Sequence, residues 1–484
     1  MATGAIIVIA ARVCLGVRHP DALARRMDYA RGRTSQASRD HRTQTYTKDV
    51  APILFQHCAS CHRPNDVAPF SVLSYSDVRP WARSIREKVV TREMPPWYPD
   101  QRYGEFTNDP RLTKNEIDII ANWVDHSAAE GDSMDLPPQP TYIDGWTIGK
   151  PDRILAMSKA YTVEPNASDL YVYAVIPTGF KEDKWIQAAE IRPGNKRVVH
   201  HAIAHVITPE ALKKSEPGGD DNPKSENGAS MFYKQGGLTR VRMDAPVIDD
   251  GANAANGGAA FKRRITEQGS DLFSMLLASY APGKEPDVFP QGAAKRVPAG
   301  SAVVLQIHYS SFRGNIDKPE RDQTSVALVF SKEPPEKEVL TLTVQNHFFK
   351  IPPGAANHQV TASSEFDQDV ELINYMPHMH LRGKDMKYEV IYPDRTRRTL
   401  LWLPKFNFNW QTVYRLKNPV HVPKGSRMIV TAHFDNSAKN KYNPDASKAV
   451  RWGDPTSDEM MVAWMECVVP RSTKGDRAPA SNSK

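Results

Sequence analysis

Cysteine is scarce in this sequence: four occur among 484 residues, and their positions are Cys14, Cys58, Cys61 and Cys467. Two of them share one motif, and the other two are too few for a disulfide framework, so their roles stay open. The chain also lacks any run of about 20 apolar residues, the length that a membrane helix needs. The sequence therefore predicts neither a disulfide-stapled domain nor a membrane span.

A strong charge of one sign is also missing. The 63 basic residues are interleaved with 56 acidic residues, and the net charge is +7. This balance favours a solvated surface over a nucleic-acid partner, and no nucleic acid is expected. The 38 prolines and 27 glycines indicate many turns, which suits β-sandwiches better than helical bundles. The length allows about three domains of ~150 residues.

The N-terminal segment has an atypical pattern for export. Ala5 to Ala11 forms a short apolar run, as in a signal peptide, but Arg12 interrupts it and no convincing cleavage site follows. Residues 1–45 are predicted to be a flexible leader.

Residues 46–132 have a helical pattern. Asp49 to His57 and Ser76 to Thr91 carry apolar residues at helical spacing. Thr113 followed by Glu116 predicts a capping box at the start of a further helix. We expect a small all-α domain here.

The pattern changes after a proline-rich linker, predicted over 133–155. Short alternating segments separated by turn signals predict two all-β sandwich domains, at 156–332 and 333–470. A polar stretch at about 210–268 is expected to be an insertion, and 471–484 a polar tail. The predicted strands are Leu170–Ile176, Val198–Ile207, Ala302–Tyr309, Thr324–Phe330, Val370–Tyr375, Tyr388–Ile391 and Met428–Phe434.

The sequence Cys58-Ala59-Ser60-Cys61-His62 is a C-x-x-C-H motif, typical of c-type haem attachment. Two thiols at this spacing can reach both vinyl groups of one porphyrin, and the histidine then lies under the iron. Half of a zinc site is the alternative, but no second cysteine pair exists to complete it.

The sixth haem ligand is predicted to be Met94, because the prolines after it stiffen its loop and a Met/His pair raises the reduction potential. His57, His126 and Met134 are rival ligands. With an early histidine motif, a Met-Pro loop and a closing helix, residues 46–132 resemble a small class I-type cytochrome c.

Histidines form three groups beyond the linker: the pair His200-His201, the single His308, and an H-x-H made by His378 and His380. On a strand, H-x-H places both rings on one face, with Cα atoms roughly 7 Å apart. Adjacent histidines on a regular strand point to opposite faces. We therefore expect the strand to twist or bulge at His200-His201 if both rings bind one metal.

A thioether near the histidines would favour copper, because imidazoles suit several metals and methionine selects Cu(I). Met460, in Asp458-Glu459-Met460, is the candidate. Several histidine motifs in apolar β context favour a metal site over isolated core histidines.

From about 155 to 468 the chain resembles the ascorbate-dependent type II copper monooxygenases, the family of peptidylglycine α-hydroxylating monooxygenase and dopamine β-monooxygenase. The resemblance implies two jelly-roll-like β-sandwiches with one copper in each. The motifs that carry it occur in the family's order: His200-His201, Leu305-Gln306-Ile307-His308-Tyr309, His378-Met379-His380-Leu381, Phe408-Asn409-Trp410-Gln411 and Asp458-Glu459-Met460.

The resemblance implies a role for each ligand. It assigns His200, His201 and His308 to an electron-transfer copper. It assigns His378, His380 and Met460 to a copper that binds dioxygen and to the catalytic centre.

Three positions depart from the family's pattern. Met461 and Ala432 occupy places where the family usually has a bridged cysteine pair. Met376 replaces an arginine that binds a peptide carboxylate in the amidating members, which predicts a less anionic substrate. Arg382 could supply that contact instead.

The expected function is hydroxylation of a C–H bond of a small molecule with O2. Electrons would come from ascorbate or a redox protein through the fused haem. A non-catalytic copper and haem electron carrier, or a redox sensor, is the alternative. A bacterial periplasmic or secreted location is expected, because c-type haem is attached outside the inner membrane.

Overall fold

A computed structural model describes residues 43–64, 66–143, 145–165, 170–214, 238–240, 263–264, 275–310, 316–453 and 455–471. The described residues from Gln44 onward belong to one compact unit. Cys14, most of the predicted leader, most of the predicted insertion and nearly all of the predicted tail lie outside the described residues. None of the helices in the described ranges combines the length and the apolar character that crossing a membrane requires.

A helical segment, residues 44–136, comes first. The predicted helix Ser76–Thr91 is interrupted at Pro80, which has no N–H and whose ring clashes with the preceding turn. The helices are α1 (Ala51–His57), α2 (Tyr75–Val78), α3 (Ala82–Val90) and α4 (Lys114–Asp125), with a π-helical turn at Tyr46–Val50 and 3₁₀ turns at Arg79–Trp81 and Ser133–Asp135.

The predicted capping box of α4 is confirmed. The Glu116 N–H donates to Thr113 Oγ1 at 3.2 Å, and the Thr113 N–H donates to Glu116 Oε2 at 2.7 Å. The apolar stripe of α4 buries Ile120 and Trp123 completely, against Leu54 of α1 among others. The helical segment thus has a hydrophobic core of its own.

The first sandwich is formed by strands between Arg153 and Phe330, and its hydrophobic core lies between two sheets. One sheet has the order β6-β3-β11-β5-β8, and the other contains β1-β13-β4-β10. The strands in this part of the chain are β1 (Arg153–Ala156), β2 (Tyr161–Val163), β3 (Leu170–Pro177), β4 (Lys184–Arg192), β5 (Val199–Ile207), β6 (Leu238–Arg240), β7 (Arg263–Arg264), β8 (Met275–Tyr280), β9 (Asp287–Val288), β10 (Ala293–Val297), β11 (Ala302–Tyr309), β12 (Glu320–Asp322) and β13 (Ser325–Phe330); helix α5 (Pro209–Lys214) follows β5. Of these, β7 pairs with β16 and so belongs to a sheet of the second sandwich.

The second sandwich follows the Glu333-Pro334-Pro335 stretch. Its sheets have the orders β14-β23-β17-β20 and β19-β18-β21-β16-β7. The strands are β14 (Lys337–Gln345), β15 (Lys350–Ile351), β16 (His358–Glu365), β17 (Val370–His378), β18 (Gly383–Ile391), β19 (Arg397–Leu403), β20 (Tyr414–Val422), β21 (Arg427–Phe434), β22 (Val450–Arg451) and β23 (Val462–Pro470). β1 begins at Arg153, inside the predicted linker.

The two sandwiches share a sheet, which the sequence did not predict. Strand β10 of the first pairs in parallel with β14 of the second, through Ala293 with Lys337 and Ala294 with Glu338. The result is one nine-stranded sheet across both halves. The halves are therefore joined by backbone hydrogen bonds as well as by side-chain packing.

A buried polar network lies at this junction. Lys295 Nζ donates to Leu276 O at 2.6 Å and to Thr341 Oγ1 at 3.1 Å, and it forms an ion pair with Glu466 Oε1 at 2.5 Å. Asn374 Nδ2 donates to the other oxygen of Glu466 at 2.6 Å. Since the Lys295 and Glu466 side chains are 5% and 9% exposed, each charge depends on the other for its stability.

The helical segment also adds to the second sandwich. Phe106 pairs with Leu416 of β20, and the Thr107 N–H donates to Arg415 O at 2.9 Å. Trp97 packs edge-on against Tyr414, with ring centroids 5.0 Å apart. Residues inside the range predicted as a cytochrome domain thus form an isolated β-bridge to strand β20 of the second sandwich.

We predict that Lys295→Met will destabilise the protein by about 3–5 kcal/mol, because it leaves the Glu466 carboxylate buried and without its cation. The double variant Lys295→Met/Glu466→Gln should recover part of that loss, since a glutamine oxygen still accepts from Asn374 without a charge. Urea denaturation followed by circular dichroism measures both. A double variant less stable than the single one would contradict this account.

Candidate functional site

The adjacent histidines of β5 lie at a bulge, as the sequence requires for two rings to bind one metal. His308 of β11 pairs with His201, while the next residue, Tyr309, pairs with Val199. His200 is therefore the extra residue of β5. The bulge breaks the alternation of side chains and brings His200 to the same side as His201.

The three-histidine group (His200, His201 and His308) is compact and buried. One ring nitrogen from each lies within 4.8 Å of the others, and no side chain is more than 7% exposed. The Nδ1 atoms of His200 and His201 are 3.0 Å apart. Tyr171 stacks on His308 at 4.5 Å and restricts the tilt of its ring.

This environment favours neutral imidazoles. Burial lowers the pKa of His201 well below its ordinary value, and the neighbouring histidines His308 and His200 lower it further. A neutral imidazole is the form that binds a metal. Three buried ring nitrogens at this spacing fit one metal ion.

The two-histidine group (His378 and His380) lies at the end of β17. His378 is the last residue of the strand, so the H-x-H is not wholly on a strand as predicted. The two rings still converge, with centroids 5.2 Å apart and planes at 90°. Burial lowers the pKa of His378 to about 4.

Each ring of this group is oriented through its Nδ1 atom. His378 Nδ1 is 2.8 Å from Gln411 Oε1, and His380 Nδ1 is 3.3 Å from Asp458 O. When Nδ1 donates to an oxygen, Nε2 is the nitrogen left for a metal. The sequence places Gln411 in a family motif but does not indicate this role.

A buried carboxylate connects Met460 to the same group. Glu459 accepts the backbone N–H groups of His380, Arg382 and Met460 at 2.9, 2.6 and 3.2 Å. The Glu459 side chain is fully buried, and burial raises its pKa to about 8 despite these bonds. The carboxylate therefore holds the backbone of Met460 beside His380.

The Phe408 ring lies between the two histidine groups. It stacks on His200 with centroids 5.3 Å apart and planes at 15°, and it meets His380 edge-on at 5.8 Å. It is 8% exposed. One apolar ring thus occupies part of the space between the two candidate metal sites. The sequence placed Phe408 in a family motif but indicated no position for it.

The two residues considered for substrate binding are both occupied by packing. Met376 lies in a small apolar cluster with Ile203 and Trp464, where the two sandwiches meet. Arg382 is 2% exposed, and its guanidinium donates to Asn436 Oδ1 and Ser457 O at 2.9 and 2.8 Å. Arg382 is thus a structural residue. Its contacts argue against the alternative in which Arg382 binds a substrate carboxylate, and the expectation of a less anionic substrate stays a prediction.

The positions that hold bridged cysteines in the family are apolar and buried here. Met461 and Ala432 are both 0% exposed and belong to the core of the second sandwich. Cys467 is an unpaired cysteine in that same core. Packing replaces the covalent bridge.

The C-x-x-C-H motif follows α1. Cys58 and Cys61 are unpaired thiols, and burial raises the pKa of Cys58 to about 12. His62 Nδ1 is 3.2 Å from Phe70 O, which leaves Nε2 as its ligand atom. Two thiols and one oriented imidazole at this spacing fit a covalently attached haem.

Met94 lines a cavity of about 340 Å³ together with Leu112 and Ile117. Two of the three alternative sixth ligands of the haem are poorly placed for that role. Both nitrogens of His57 have partners, Pro110 O at 3.1 Å and Glu116 Oε1 at 3.2 Å, and Met134 is 89% exposed. The third, His126, places its Nδ1 2.8 Å from Asn122 O.

Comparison with known proteins finds a family match for the second sandwich. Residues 337–471 match the C-terminal domain of the copper type II ascorbate-dependent monooxygenases. This range contains the two-histidine group and Met460, and the match supports an oxygenase-type enzyme that uses copper. The curated proteins contain no match to the chain.

Solved structures give only weak similarity. The infectious bursal disease virus VP2 subviral particle is 8% identical, with a TM-score of 0.16 over 69% of this chain and 84% of that one. The Sputnik virophage is 8% identical, with 0.17 over 75% and 92%, and PNGF-II is 11% identical, with 0.20 over 67% and 63%. TM-scores this low support no conclusion about fold or function.

We predict that His308→Ala will weaken Cu²⁺ binding at the three-histidine group by more than about 100-fold, because even the loss of an outer partner of a ligand changes affinity about 10–100-fold. His205→Ala is the matched control, since His205 is also a buried strand histidine, on β5, but lies outside the group. Dialysis against buffered Cu²⁺ with elemental analysis measures the bound metal. Equal copper loss in both variants would count against the assignment.

Proposed function

We propose that the protein is a copper-dependent monooxygenase that hydroxylates a C–H bond of a small organic substrate with O2, using electrons supplied through a covalent haem. One observation carries this proposal: two separate groups of buried imidazoles flank a single phenyl ring, and one group lies within the range that matches the monooxygenase family. Two one-electron centres suit a reaction that consumes two electrons per O2.

Two copper ions would be held by different donor sets. The three-histidine group would hold the electron-transfer copper, and His378, His380 and Met460 would hold the dioxygen-binding copper. When bound, copper supplies dioxygen binding and one-electron storage, and a thioether ligand favours its reduced form. The buried imidazoles described above fit such ions.

The chain's own residues orient and shield these ligands. Gln411 and the Asp458 carbonyl hold the rings of the two-histidine group, and Glu459 holds the backbone of Met460. Phe408 excludes water from part of the space between the groups. In the net reaction, substrate, O2, two electrons and two protons give the hydroxylated product and water.

The haem would be attached through Cys58 and Cys61, with His62 as one axial ligand and Met94 as the other. Haem supplies one-electron transfer, and a methionine ligand raises its potential. The Phe70 carbonyl fixes the orientation of His62. The external donor is ascorbate or a redox protein, and we propose a periplasmic or secreted location because c-type haem is attached outside the bacterial inner membrane.

We predict that Met460→Leu will abolish oxygenation while the three-histidine group keeps its copper, because leucine preserves volume but removes the thioether. Met461→Leu, a neighbouring buried methionine, is the matched control and should keep turnover. Oxygen uptake by the reduced protein, with mass spectrometry of products from an extract of candidate substrates, measures the effect.

Full turnover by Met460→Leu would contradict the assignment of Met460. If the wild-type protein binds copper and haem, takes up no oxygen with any substrate, but still exchanges electrons with donors, the proposal fails. The electron carrier would then be the correct function.

We also predict that Cys61→Ala will leave haem attached through one thioether at most, with little stable holoprotein. Acid-acetone extraction of denatured protein should remove no haem from the wild type. The unpaired Cys467→Ala is the control, since its thiol is in the core of the second sandwich and should not affect attachment. Extraction of all haem from the wild type would refute covalent attachment.

A further inference from the structure

The haem-motif end of the helical segment docks on the first sandwich. A Cβ atom added to Gly283 would lie 3.4 Å from Cys61 Sγ, so the cysteine backs directly onto this glycine. A Cβ at this distance would make an ordinary van der Waals contact with the sulfur, so the contact itself does not require glycine. The φ of Gly283, +76°, is what favours glycine at this position.

A charged contact supports the same docking. Lys196 Nζ donates to Asp66 Oδ2 at 2.9 Å, and the Asp66 side chain is only 9% exposed. Asp66 lies four residues after His62, and Lys196 lies four residues before His200. The ion pair thus connects the chain near the haem motif to the chain that leads into the three-histidine group.

The strand register places Gly283 next to that group. Tyr280, the last residue of β8, pairs with Ala202 of β5, which adjoins His201. The chain then turns, and the Lys284 N–H donates to Ala281 O at 3.0 Å. Gly283 is part of this turn, at the end of β5 that carries both adjacent histidines.

A second contact area joins the helical segment to the second sandwich. There Phe106 pairs with Leu416, and Lys417 Nζ lies 3.6 Å from Glu105 Oε2. This area adds backbone pairing and aromatic packing beside β20. This area offers a second possible route for electrons, toward the two-histidine group. Gln411, the partner of His378, lies three residues before Tyr414.

We propose that the contact of Cys61 and Asp66 with Gly283 and Lys196 is an internal electron-transfer interface through which the haem reduces the three-histidine copper first; this rests on the proposed function. One electron passes from ferrous haem iron, which becomes ferric, to cupric ion, which becomes cuprous. No atom moves, and the external donor restores the ferrous haem. The second contact area anchors the helical segment.

The test follows reoxidation of the haem in the full-length protein under anaerobic conditions. Flash photoreduction generates ferrous haem in the Cu²⁺-loaded protein, and haem absorbance reports its reoxidation. Zn²⁺ in place of copper should abolish this reoxidation, which isolates the internal step. Haem content, haem reduction potential and bound copper are measured on every variant.

Lys196→Glu should slow reoxidation by at least about tenfold, because it places two carboxylates together at the docked surface. Lys196→Arg should restore the wild-type rate. Lys417→Glu is the matched control: it reverses a charge in the second contact area and should leave the rate unchanged. Haem content, potential and copper should stay unaltered in all three.

Wild-type reoxidation in Lys196→Glu, or equal slowing in Lys417→Glu, would overturn this inference while leaving the proposed function intact. Absence of reoxidation in wild-type protein that holds both haem and copper would overturn it as well. A wild-type protein without covalent haem would instead refute the proposed function, and this inference with it.

Discussion

The junction between β10 and β14 is the constraint on which the described site depends. It makes one sheet out of strands from both sandwiches, and the Lys295–Glu466 pair is buried beside it. Removing one member of a buried ion pair is costly, because it leaves the other charge buried and unpaired. The junction thereby fixes how the two histidine groups face each other across Phe408.

Local departures from regular structure then create the ligand geometry. The bulge at His200 turns an adjacent pair of histidines into two donors on one side of β5. The end of β17 at His378 frees the next residues to curve, so that His380 meets both the Asp458 carbonyl and the Glu459 carboxylate. In both cases the irregular residue is a candidate metal ligand, since a regular strand would hold its ring elsewhere.

The helical segment is built into the molecule. It contributes a pairing at β20 and a docked surface at Gly283, and these contacts fall in different sandwiches. A segment anchored at two places keeps a fixed distance to both histidine groups, which a tethered domain would not. That arrangement suits repeated one-electron steps, whose rates depend on a constant separation between donor and acceptor.

Periodicity and short-range chemistry by themselves determined a good deal of this protein. The capping box of Thr113 and Glu116, the strand at Ala302–Tyr309 and the need for a bulge at His200-His201 are local features, set by spacing along the chain. The grouping of this pair with His308 was implied only by the family resemblance, and the fold brings the three rings together. Only the tertiary structure decided what depends on residues far apart in sequence. The shared sheet, the Lys295–Glu466 network and the place of Phe408 all arise from such contacts. The family match over residues 337–471 covers the motifs that contain His378, His380 and Met460. Docking of Cys61 on Gly283 joins positions more than two hundred residues apart, and no local pattern encodes such a contact.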